Sequence, residues 1–281
     1  MIKTGVPTLE GAGVRLRRVF GFEKIPGLDP FLMLDDFSSK KPEDYSAGFP
    51  WHPHRGIETI TYVLQGEIAH ADSMGNKGVI GPGDVQWMTA GSGIIHQEMP
   101  RESRKTGLQG FQLWANLPAV GKMMAPRYRG IKARQIPVVE RKDGVKVRVV
   151  CGTVDGVQGP VSEIRIDPEY LDVEIPAGAV FSHSVPAGYT AFAYVFSGQG
   201  NFESKRKKAA GAGNLVIFTD GDGVEITASA EGVRFLLVSG APLREPVAWR
   251  GPIVMNTEEE LRTAFAEYAA GTFLKHKAVL V

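Results

Sequence analysis

His52-Pro53-His54-Arg55-Gly56-Ile57-Glu58-Thr59-Ile60-Thr61-Tyr62-Val63-Leu64-Gln65-Gly66 carries the fold and the chemistry of this chain in one stretch. Its second half, Ile57 to Leu64, is rich in β-branched and aromatic residues and ends at Gln65-Gly66, which reads as a strand and a turn. Its first half places two imidazoles at i and i+2, which an extended strand turns to the same face. The same kind of run recurs along the chain. Val85-Gln86-Trp87-Met88 follows the turn Gly81-Pro82-Gly83-Asp84, and Leu108 to Leu117 stops at Pro118. Val145 to Val150, Ala191 to Phe196, Leu215 to Phe218 and Val233 to Val238 follow. The 34 glycines and 18 prolines are spread along the chain rather than pooled in one linker. Many short strands punctuated by turns predict an all-β sandwich or barrel, not a βαβ sheet. The exception is near the C-terminus. Thr257 and Glu260 form a capping-box pattern, Leu261, Ala264, Phe265 and Tyr268 share one helical face, and Gly271 can end the helix.

The chain also repeats itself once. Tyr62-Val63-Leu64-Gln65-Gly66 resembles Tyr194-Val195-Phe196-Ser197-Gly198 at an offset of 132. Thr89 to Gly93 resembles Thr219 to Gly223 at 130, and Ala115 to Pro118 resembles Ser239 to Pro242 at 124. Three matches in order, with a shrinking offset, predict two related β-domains, residues 1–130 and 131–281.

Composition narrows the function classes. The 281 residues are 43% hydrophobic and 22% charged, enough for a sizeable core and unlike a disordered chain. The formal charge of +1 supplies no general attraction to nucleic acid or to an anionic membrane. No apolar run reaches the roughly 18–20 residues of a membrane helix. The start, Met1 to Pro7, has no secretory character, and the single cysteine, Cys151, cannot form an intrachain disulfide. A cytoplasmic location is the expectation, with the nucleus open for a eukaryotic source. Cys151 is expected as a small buried hydrophobe. Lys205-Arg206-Lys207-Lys208 reads as a solvated hairpin tip.

Four of the six histidines lie between positions 52 and 96. His96-Gln97-Glu98 repeats the i, i+2 geometry of His52-Pro53-His54 with an imidazole and a carboxylate. Two antiparallel strands lining a small barrel would aim His52, His54, His96 and Glu98 at one point. Three neutral imidazoles and a carboxylate suit a divalent first-row metal, and no thiolate is near to suggest structural zinc. Glu58 shares the parity of His52 and His54, so an unbroken strand would bring it to the same face as a rival carboxylate. His70 lies beyond the Gly66 turn, where parity carries no information, and is read as a solvated hairpin histidine. The repeat maps the four donors onto Ser184, Pro186, Ile226 and Ala228, so the second domain is expected to bind no metal, with His183 beside the equivalent place and facing away.

Three segments resemble the pirin family of the cupin superfamily: His52 to Thr59, Ser73 to Gly91, and Gly93 to Pro100. Asp29 to Phe37, Gln112 to Pro118 and Gly251 to Asn256 are similar to it too. The resemblance is densest over residues 29–118 and thinner from about 125 to 245. It implies a bicupin, two face-to-face jelly-roll barrels with a short C-terminal helix and metal in the N-terminal barrel only. It implies that His52, His54, His96 and Glu98 match the family's metal ligands, with Fe(II) the usual ion and Cu, Ni, Co, Mn or Zn as alternatives. Glu58 stays open, because other cupins carry the carboxylate in the first motif. The family includes quercetin 2,3-dioxygenase-like enzymes, which cleave a flavonol with O2 and release carbon monoxide. There Glu98 would take the proton of the substrate's 3-hydroxyl. It also includes iron-binding, redox-sensitive regulators that act on a protein partner. The expectation is the first activity, with a flavonol and O2 as partners of a monomer, no direct nucleic-acid contact and no membrane. The second is the alternative.

Overall fold

A computed structural model describes residues 1–21, 27–101, 107–202 and 209–276. The lysine-rich segment 205–208 lies outside them. The strands read from the sequence form, as Ile57–Gln65, Val85–Thr89, Gln109–Asn116, Lys146–Cys151, Thr190–Asn201, Asn214–Ile217 and Gly223–Gly240. The described α-helices are Pro42–Tyr45 and Glu258–Ala269. The second is held at its start by the expected capping box between Thr257 and Glu260, buries Leu261 and Ala264, and is followed by Gly271 at φ +71°. Tyr268 is 42% exposed, so the apolar face is narrower than its sequence spacing predicts. No described helix is long and apolar enough to cross a membrane.

The architecture is all-β and divides into two compact units. One comprises residues 7–26, 31–133 and 243–281, and the other residues 1–6, 27–30 and 134–242. A cut at 130/131 would assign residues 243–281 to the second domain. Instead they pack into the first, through Ala248, Ile253, Met255, Leu261, Ala264 and Phe273, with Ile95 against them. This return over more than a hundred residues leaves no local mark in the sequence.

Among the described residues the first unit contains the two-stranded pair Ala248–Arg250 and Ile253–Met255 and two large antiparallel sheets. One has four strands in the order Phe49–His54, Ile94–Arg101, Glu67–Asp72, Lys77–Ile80. The other has seven, with Ile57–Gln65 between Val85–Thr89 and Gln109–Asn116. Val14, Leu16 and Val63 of the larger sheet pack against Ile68 and Ile80 of the smaller. Phe49–His54 is an edge strand, which is why it tolerates Pro50 and Pro53, residues with no N–H for a ladder. The other unit is built on a nine-stranded sheet around a core that includes Phe181, Ile226, Ala228, Phe235 and Leu237. Two of the positions mapped from the donors, Ile226 and Ala228, are thus packed in that core. Cys151 is buried there, its Sγ donating to the carbonyls of Val161 and Pro168.

Strand parity breaks at Gly56. Its φ is +79°, and a Cβ there would stand 1.9 Å from the carbonyl oxygen of Val254, so only glycine fits. The chain leaves the small sheet at His54 and enters the large one at Ile57. Lys122 ties this corner together. Its buried Nζ donates to Gly56 O at 2.9 Å, Asn116 Oδ1 at 2.6 Å and Val254 O at 3.1 Å. Burial lowers its pKa to about 8, against the opposing pull of Glu245 and Glu260. Between that value and 10.5 the unfolded chain holds a proton that the folded one has released, so Lys122 makes stability rise with pH across that window. Lys122→Met should abolish that rise. At pH 7 it should cost about 2–4 kcal/mol in urea unfolding, because three acceptors lose a donor.

Candidate metal centre

The three predicted imidazoles converge. In the small sheet His96 pairs directly with His52, and Ile94 with His54, so all three rings leave one face. Ring centroids lie 4.4 Å apart for His52 and His96, 4.8 Å for His52 and His54, and 5.0 Å for His54 and His96. One nitrogen from each falls within 4.8 Å of the others. His54 and His96 are buried and His52 is partly exposed.

The hydrogen bonds determine the polarity of two of these rings. His52 Nδ1 lies 2.8 Å from Pro50 O, and His54 Nδ1 lies 3.0 Å from Pro252 O. A carbonyl only accepts, so both rings carry their proton on Nδ1. Their Nε2 lone pairs then face each other at 3.1 Å. Two lone pairs that close repel unless a cation lies against both, which is the arrangement of a metal-ligand pair. His96 is buried with neither ring nitrogen bonded to a partner among the described residues, and an ion would satisfy one of them. Burial holds His54 well below the usual histidine range, with His52 adding to it and the Pro252 carbonyl opposing. Burial also lowers His96, helped by His54, His52 and His70. Neutral imidazoles are the form that binds metal. The residues present fit a divalent ion.

The two carboxylates part company. Glu98 is turned to the same face and is 5% exposed. It lies outside the 4.8 Å histidine cluster, and the pairing with the edge strand shifts register beside it: His52 is opposite His96, but Phe49 is opposite Glu98. Its Oε1 accepts from Thr61 Oγ1 at 2.8 Å and from Gln86 Nε2 at 3.1 Å. Glu58 is elsewhere. Beyond the Gly56 corner its Oε2 accepts from Trp87 Nε1 at 2.8 Å and its Oε1 from Thr89 Oγ1 at 2.6 Å. Burial raises its pKa, against those two hydrogen bonds and the charge of Arg127. The strand break removes the reason for counting Glu58 as a rival.

His70 corrects the sequence reading. It is not solvated but buried, because Glu67–Asp72 pairs in register with the His96 strand and puts His70 directly across from Glu98. The burial alternates along the strand at Ile68, His70 and Asp72, but the residue types at 67–72 do not announce it, because two of the three buried positions are polar. His183, in the other unit, bonds Glu169 at 3.0 Å and stacks on Phe181.

A cavity of about 800 Å³ opens on the centre, lined by His52, His54 and Glu98 and by the apolar faces of Trp114 and Trp249. Trp114 meets His54 edge-on, with centroids 5.0 Å apart. Farther along the wall Arg18 is held bidentately by Asp35 at 2.8 and 2.9 Å and contacts Glu10 at 2.8 Å.

Comparison with known proteins agrees with this architecture. Residues 13–115 match Pirin, and residues 170–274 match the pirin C-terminal cupin domain. The chain is 44% identical over 273 residues to a pirin-like protein of Caulobacter vibrioides, covering 97% of each. It is 41% identical over 264 residues to pirin of Mus musculus, covering 92% of this chain and 88% of that one. A crystal structure of quercetin 2,3-dioxygenase from Acinetobacter baumannii superposes with a TM-score of 0.87 at 31% identity, covering 97% of this chain and 96% of that one. With matches spanning both halves, and with a histidine cluster in the unit that carries the first match, the chain belongs to the pirin family of bicupins.

Proposed function

We propose that the protein is a metal-dependent dioxygenase that cleaves a flavonol such as quercetin with O2. In this reading His52, His54 and His96 hold one divalent ion, Fe(II) first among the candidates, and Glu98 is its fourth ligand and the base. The observation that carries it is the pair of opposed Nε2 lone pairs, at the wall of an aromatic-lined cavity, beside a fully buried His96 with no partner among the described residues. The similarity to the Acinetobacter baumannii enzyme supports the choice of chemistry. About 800 Å³ lies within the roughly 300–1,000 Å³ of pockets that enclose a drug-sized ligand.

The bound ion would supply Lewis acidity toward the substrate's 3-hydroxyl. The remaining work falls to the chain. Glu98 accepts the hydroxyl proton, and Thr61 and Gln86 hold its Oε1 in place for that transfer. Trp114 and Trp249 present apolar surface to a planar substrate and keep water from it. Asp35 and Glu10 offer acceptors to phenolic hydroxyls, while their bonds to Arg18 limit its attraction for anionic substrates.

The test is oxygen uptake and loss of the flavonol absorbance band when the iron-loaded protein meets quercetin. Glu98→Gln should cut turnover at least about 100-fold while part of the metal is retained. Normal turnover in that variant sinks the assignment of the base. Absence of turnover in wild type with iron, copper, nickel, cobalt, manganese or zinc bound transfers the reading to a partner-binding regulator.

A further inference from the structure

A ring that gives one nitrogen to an ion must carry its proton on the other, and when buried that N–H needs an acceptor. His52 and His54 meet this need with the carbonyls of Pro50 and Pro252. His96 has no such carbonyl: both its ring nitrogens are buried without a partner among the described residues. One complementary group stands next to it. His70 lies on the same face of the sheet, its side chain is 0% exposed, and its ring centroid is 5.5 Å from that of His96. His70 Nδ1 is likewise buried without a partner.

The polarity of His70 is set from its far side. Asp72 Oδ1 accepts from the backbone N–H groups of Met74 at 2.9 Å and Asn76 at 3.0 Å, and Oδ2 from Asn76 Nδ2 at 2.9 Å. Burial works against the charge, but the bonds from His70 and Asn76 outweigh it and hold the Asp72 carboxyl below its usual range. Asp72 is therefore an acceptor only, and His70 Nε2, at 3.1 Å from Oδ2, is the donor. In the neutral ring Nδ1 is left as a bare acceptor. Tyr128, stacked 4.7 Å away at 22°, keeps the ring from turning over.

We infer that His70 is the positioning residue for His96. Its Nδ1 accepts the proton of the outer ring nitrogen of His96, directly after a small ring rotation or through one buried water, and so fixes which His96 nitrogen is left for the ion. The order is Asp72, His70, His96, a relay of hydrogen bonds. Gln86 Oε1 is also buried without a partner among the described residues, on the side chain that bonds Glu98 across from His70, and is a third partner for such a water. The purpose of this chain rests on the metal reading above, but the hydrogen bond itself does not.

Long-range 1H–15N spectra of metal-free protein labelled at histidine nitrogen test the bond. His70 should carry its proton on Nε2 only, and His96 should be a single tautomer. Co(II) titration of two variants tests the purpose. His70→Leu should weaken Co(II) binding about 10–100-fold and mix the His96 tautomers. His70→Asn, whose amide oxygen stands near the place of Nδ1, should restore both toward wild type. A packing role predicts the reverse order, since leucine fills an apolar space better than asparagine. A proton on His70 Nδ1, or a His70→Leu protein with one His96 tautomer and wild-type Co(II) affinity, overturns the inference. Wild-type protein that takes up no Co(II) would sink the metal reading instead, and the metal-free spectra would still decide the bond.

Discussion

His96→Ala should leave the purified protein with almost no bound metal, and flavonol turnover should fall with it. His96 is the most enclosed of the three rings, 4.4 Å from His52 and 5.0 Å from His54 between centroids. Its loss leaves two imidazoles, one of them partly exposed, and the carboxylate of Glu98, which stands outside the histidine cluster. Stability supplies a second readout. Wild type should gain about 4 kcal/mol from metal present at 1,000 times its Kd, by mass action alone. The variant should show no metal-dependent shift in Tm. Its metal-free form should lose less than a buried truncation ordinarily costs, because the desolvated ring nitrogen that faces the other imidazoles goes with the ring. Metal analysis and melting with and without metal measure both effects. A His96→Ala protein that keeps one equivalent of metal refutes the assignment.

Arg55→Met should cost about 3 kcal/mol and weaken the metal centre from a distance. Arg55 is 2% exposed, an unusual place for a guanidinium. Its Nη1 lies 2.8 Å from Glu267 Oε2, its Nη2 donates to Phe273 O at 2.8 Å, and its Cζ stands 4.3 Å over the Phe273 ring. Removing one partner of a buried ion pair costs roughly 3–5 kcal/mol. The lower end applies because Lys275 still pairs with Glu267, at 2.8 Å. The chain that Arg55 anchors also carries Pro252, whose carbonyl orients His54. Loosening it should therefore raise the Kd for metal as well as lower the urea midpoint. Hydrogen exchange should localise the damage to Glu258–Ala269. Uniform loss of protection across the first unit, with metal affinity unchanged, would refute the coupling.

What was legible in the sequence was whatever repeats over a few residues. Alternation put His52 and His54 on one side of their strand, and His96 and Glu98 on one side of theirs, and turn residues marked the strand ends. Thr257 and Glu260 marked the helix start, and the repeat announced two units. Each of these signals is local, because strand period, capping and turn chemistry depend on near neighbours. The tertiary structure alone decided the rest. The corner at Gly56 depends on how close Val254 comes, and it separates Glu58 from the centre. Glu98 stands outside the histidine cluster, and in-register pairing of Glu67–Asp72 with the His96 strand buries His70. His54 takes its orientation from Pro252, 198 residues away. Contacts of that separation are fixed by which surfaces bury one another, and no window of neighbouring residues records them.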